Sequence, residues 1–71
     1  MIKVEKDKLP DGDRLITITV NTEEEATAVI RVIIEQGMLF SREGKVFTLN
    51  RIDVSKLRTY LPSDTTFEEG L

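Results

Sequence analysis

The chain of 71 residues contains neither histidine nor cysteine. This removes the commonest general base, the thiolate nucleophile and the usual ligands of zinc, iron and copper. Carboxylates, hydroxyls, lysines and one tyrosine remain. Ser41 and Ser55 have no neighbouring base in the sequence to activate them. Asp11-Gly12-Asp13 has the look of a calcium-loop fragment, but Arg14 stands where further oxygen ligands would be needed, and a turn accounts for it. Glu23-Glu24-Glu25 could hold magnesium in principle, yet helix capping explains the run. The four glycines are isolated, so no phosphate-cradling loop is present. No constellation here amounts to a catalytic site. The expectation is a non-enzymatic chain with no cofactor and no metal.

What chemistry remains is that of binding, and charge patterning locates it. The net charge is -3. From Met1 to Thr22 the charges cancel; from Glu23 to Gly37 four glutamates face one arginine. From Met38 to Leu61 five basic residues face Glu43 and Asp53, and the last ten residues carry Asp64, Glu68 and Glu69. Alternation of sign suits protein surfaces better than a uniform phosphate backbone. Three candidate surfaces follow. The first is acidic: Glu23, Glu24, Glu25, Glu35, Asp64, Glu68 and Glu69. Rows of carboxylates can stand in for phosphates and engage a basic DNA- or RNA-binding protein, though such runs also serve as plain solvated faces. The second is basic: Arg42, Lys45, Arg51, Lys56 and Arg58, which with Phe40 and Phe47 could form a single-strand nucleic-acid platform. The alternative is that the phenylalanines are core and the charges confer solubility. The third is apolar: Val32, Ile34, Met38 and Leu39, an oligomer interface or a thicker core.

The elements that position these residues can be read from period and punctuation. Ile2 and Val4 alternate with Lys3 and Glu5 as in a half-buried strand. Leu9-Pro10-Asp11-Gly12-Asp13 is a turn, and Arg14–Asn21 a second strand whose Ile16, Ile18 and Val20 share one face. Thr22-Glu23-Glu24-Glu25 is a capping box. It opens a helix with Ala26, Val29, Ile30 and Ile33 on one stripe, closed by Gly37. Val32 and Ile34 lie off that stripe and require cover on a second side. Met38–Ser41 and Val46–Asn50 flank Arg42-Glu43-Gly44-Lys45 as a second hairpin. Asp53 is placed to cap a final helix, Val54–Leu61, stopped by Pro62. The fold class is therefore α+β, ββαββα: a four-stranded, largely antiparallel sheet with two helices on one face. Residues 1–62 form a single domain, and 63–71 a flexible acidic tail.

A domain this small sits near thermodynamic break-even and often adds a staple. Without disulfides or metals that staple is self-association, so a homodimer is favoured over a monomer. No segment reaches the ~18 apolar residues of a membrane span, and the start shows no basic-then-apolar targeting pattern. The expected location is cytoplasmic.

In its length, its lack of cysteine and histidine, its ββαββα pattern and its acidic segments Glu23–Glu25 and Asp64–Glu69, the chain resembles the very small acidic proteins that bacteriophages use to disable host proteins. The resemblance is one of class. It implies an inhibitor or regulator that acts as a DNA mimic, covering the nucleic-acid-binding surface of its partner.

Overall fold

A computed structural model describes residues 1–6 and 14–70. The expected turn at 9–13, with Asp11-Gly12-Asp13, lies outside the described residues. In chain order the elements are β1 (Ile2–Lys6), β2 (Leu15–Thr19), α1 (Glu23–Gln36), β3 (Ser41–Glu43), β4 (Val46–Asn50), α2 (Arg51–Tyr60) and β5 (Phe67–Glu69). Among the described residues the sheet has five strands in the order β3-β4-β2-β1-β5. Strand β5 runs parallel to β1, and the other pairings are antiparallel. The class is α+β as expected, but the sheet is mixed and has one strand more than the four expected.

Alternation in the strands decides which face is buried. The register sets Val4 opposite Ile18 and Ile18 opposite Phe47, and likewise Ile16 opposite Leu49. Paired residues point to the same face, so these side chains form one apolar surface. All are buried, in a single cluster with Ala26, Val29, Val32 and Ile33 of α1 and Val54 and Leu57 of α2. Both helices therefore cover the same face of the sheet. Each side chain so buried contributes about 1.5–3 kcal/mol relative to exposure. Lys3, Thr17, Thr19, Val46 and Thr48 form the opposite, uncovered face.

The helix ends explain the remaining boundaries. Thr22 and Glu25 form the reciprocal capping box that the sequence announces. At the other end Gly37 is left-handed, at φ 66°. Its N–H donates to Ile34 O and that of Met38 to Ile33 O, the two hydrogen bonds of a Schellman cap. The buried Met38 is thus the apolar residue that such a cap places against the helix, and the edge strand starts only at Ser41. The expected strand Met38–Ser41 is corrected accordingly. Gly44 (φ 60°) and Lys45 make a two-residue turn between the paired Glu43 and Val46, with glycine first, as a type II′ turn requires.

Helix α2 begins three residues earlier than expected. Its cap is Asn50, whose side-chain oxygen accepts from the N–H of Asp53, so Asp53 is the third helical residue and not the cap. The segment 63–71, expected to be a flexible acidic tail, contains β5 at Phe67–Glu69, hydrogen-bonded along β1.

Candidate functional site

Three glutamates begin α1, and their fates differ. The Glu25 carboxylate accepts from the N–H groups of Asn21 (2.8 Å) and Thr22 (3.3 Å) and from the Met1 ammonium (2.6 Å). The ammonium hydrogen bond, helped by the two backbone donors, holds this carboxyl below its ordinary pKa. Its role is to close the helix end. Glu23 and Glu24 remain exposed. Because α2 ends near the start of α1, the turn after Pro62 brings Asp64 to the same place. Glu24, Glu25 and Asp64 line one open groove of about 260 Å³ together with Ile2, Ala28, Leu61, Pro62, Thr65 and Thr66.

The other expected acidic residues are elsewhere. Glu35 lies eleven residues beyond Glu24 on α1, about 17 Å along the helix at 1.5 Å per residue. Glu68 stands opposite Lys3 in the β1–β5 ladder. Glu69 faces α2, where Arg58 grips it with two hydrogen bonds of 2.6 and 2.7 Å. That bond raises the pKa of Arg58 and lowers that of Glu69. The expected single acidic surface is therefore corrected to a smaller one, Glu23, Glu24 and Asp64 beside the structural Glu25.

The basic residues have different partners. Arg42 lies over the Phe47 ring at 5.0 Å, and its Nε donates to Gly44 O. Lys45 Nζ donates to Asn21 O, tying the β3–β4 turn to the approach to α1. Arg51 is at the opposite end of β4, where its N–H donates to Arg14 O. Lys56 is exposed on α2, and Arg58 turns to β5. Phe47 is core, and Phe40 stacks obliquely on it at 6.3 Å. The expected platform is not formed as drawn: its central ring is covered, and Arg42, Lys45 and Arg58 are each engaged with a different partner.

The apolar set divides in two. Val32 and Met38, each 7 % exposed, belong to the core, whereas Ile34 (69 %) and Leu39 (84 %) are exposed. The first two are corrected from interface to core. Sequence reasoning also missed Ile52, exposed on α2, where Tyr60, expected beside the apolar face of that helix, is exposed as well. It missed Phe67 as well, whose ring lies 4.9 Å from the Arg58 guanidinium. The signal for Phe67 was a single aromatic residue, followed by two acids, in an otherwise polar stretch.

Among the described residues no group of acidic side chains is placed to hold a metal ion, and no buried side-chain polar atom lacks a partner. Nor is any helix of the described residues long and apolar enough to cross a membrane. What the arrangement offers chemically is a set of charged and apolar contacts. Compared with protein-family models, curated proteins and solved structures, the chain matches none of them.

Proposed function

We propose that this chain is a non-enzymatic, cytoplasmic protein-binding domain that inhibits or regulates a nucleic-acid-binding protein by covering its basic surface. One observation carries the reading: Glu24 and Asp64, far apart in sequence, border the same groove, with Glu23 beside them. The groove offers apolar surface from Ala28, Leu61 and Pro62 between the carboxylates. An arginine or lysine of the partner can lay its aliphatic stem on that surface and present its charge to the acids. Opposed fields would also speed association. The resemblance to small acidic bacteriophage proteins points the same way.

The test is affinity capture from a nuclease-treated bacterial lysate. The triple variant E23K/E24K/D64K serves as control; it leaves Thr22 and Glu25, and hence the helix cap, intact. A basic nucleic-acid-binding protein recovered by the parent chain, displaced by added duplex DNA and reduced at least about tenfold with the variant is expected for a charge-driven contact. Equal recovery by the two chains sinks the reading.

A further inference from the structure

Strand β5 has three residues and lies at the edge of the sheet, yet its contacts are specific. The Ile2 N–H donates to Thr66 O (2.9 Å), and the Gly70 N–H donates to Val4 O (2.7 Å). Between them Ile2, Lys3 and Val4 pair with Phe67, Glu68 and Glu69 in parallel register. Alternation then assigns each residue a task. Phe67 and Glu69 face the helices, and Glu68 faces the open side. The Phe67 ring is half-buried against the core cluster, with the Arg58 guanidinium above it. The same guanidinium takes the Glu69 carboxylate in bidentate fashion. A Cβ at position 70 would meet Val4 O and Glu5 Cγ at 3.0 Å, so a side chain there needs its neighbours to give by a few tenths of an ångström, and glycine is favoured.

These features describe a receptor as much as a strand. The edge of β1 supplies backbone hydrogen bonds, Arg58 reads an aromatic face and a carboxylate two residues later, and the tight approach at position 70 reads a glycine. Backbone pairing gives affinity and alternate side-chain pockets give specificity, the general mode of recognition by strand addition. We propose that the outer edge of β1 together with Arg58 is a binding site for an extended peptide. Its ligand carries, in order, an aromatic residue, any residue, an acidic residue and glycine, and residues 67–70 are its internal occupant. The charge complementarity at Arg58 selects this occupant over a basic or purely apolar segment. The site adjoins the groove at Glu24 and Asp64, with which it shares Ile2 and Thr66, but its specific contacts, at Arg58 and along the β1 edge, involve neither of those carboxylates.

The experiment uses the full chain and a fluorescein-labelled peptide of the sequence Thr65–Gly70, followed by fluorescence anisotropy. In the wild type the internal strand competes, and apparent affinity is reduced by the fraction of molecules whose site is vacant. E69K sets a lysine against Arg58 and frees the site, so this variant should bind the peptide about tenfold more tightly or better. R58E should refuse that peptide and accept one with lysine in place of the residue corresponding to Glu69. A merely structural clamp would not produce this exchange of specificity. Folded variants that bind neither peptide saturably would overturn the proposal. Should the variants fail to fold, hydrogen exchange of the wild type decides. The amides of Ile2 and Gly70 should exchange well before those of Ile18 and Phe47, and exchange only through global unfolding would overturn the proposal.

Discussion

At one edge of the sheet the Arg42 guanidinium lies 5.0 Å from the centre of the Phe47 ring; at the other, that of Arg58 lies 4.9 Å from Phe67. The pairs look alike and work differently. Phe47 is wholly buried, held by β2 on one side and the β3 hairpin on the other. Arg42 covers it from outside and spends a hydrogen bond on its own turn, at Gly44. Phe67 is half-buried, and its strand meets β1 alone. There the arginine comes from another element, α2, and bonds Glu69 across the gap. At the β3 edge, removing the cation leaves the strand in place through a tight hairpin. At the β5 edge, the cation joins the Phe67 ring in tying the strand to the helix layer.

The largest effect that distinguishes the edges should come from the rings. Phe47→Ala should cost about 3–5 kcal/mol, because a fully buried ring leaves a cavity that relaxes only in part. Phe67→Ala, at a half-buried site, should cost about 1–2 kcal/mol. Urea denaturation gives both values, and equal losses would remove the contrast. Next comes the ion pair. A double-mutant cycle on Arg58→Ala and Glu69→Ala at pH 7 should give a coupling of about 0.5–1 kcal/mol, the range for a solvated pair. The Glu69 pKa is lowered in the folded chain, so folding binds fewer protons there than unfolding does. The coupling is therefore fully present above the ordinary carboxylate value of 4.5 and drains away as pH falls through the lower, folded value. A cycle repeated near pH 3 that returned an undiminished coupling would contradict the sign. The smallest effect is expected at Arg42→Ala, within about 0.5 kcal/mol as for most exposed substitutions. A loss larger than that of Arg58→Ala would reverse the assignment of the two arginines.

What could be read from the sequence follows from the same contrast. Local signals carried through: the alternation of Ile16 and Ile18, the Thr22–Glu25 box, and the glycines at 37 and 44 all act within a few residues. The start of α2 was misplaced because the apolar stripe begins at Val54, while Ile52, which looks like a core residue, faces outward. Strand β5 was illegible because it is three residues long, two of them acidic, and its partner is the first strand of the chain. The site suffered likewise. Sequence proximity grouped Glu68 with Glu69, but a strand sends neighbours to opposite faces. Arg58 and Glu69 were placed on rival surfaces, although each is the other's partner. The meeting of Glu24 with Asp64 depends on where a turn after Pro62 lands, which no local pattern encodes.

Asn50 is at once the last residue of β4 and the cap of α2, with no connecting residue between strand and helix. The orientation of the helix is thus dictated by the pleat of the strand. One extra residue at this seam would turn α2 by about 100° about its axis, swinging Val54 and Leu57 off the core and bringing polar neighbours inward. Length changes should therefore be forbidden between positions 50 and 51, whereas the connector between α2 and β5 can absorb them. In any lineage descended from this chain, the first boundary should keep its count of residues, and the second should be where the chain grows and shrinks.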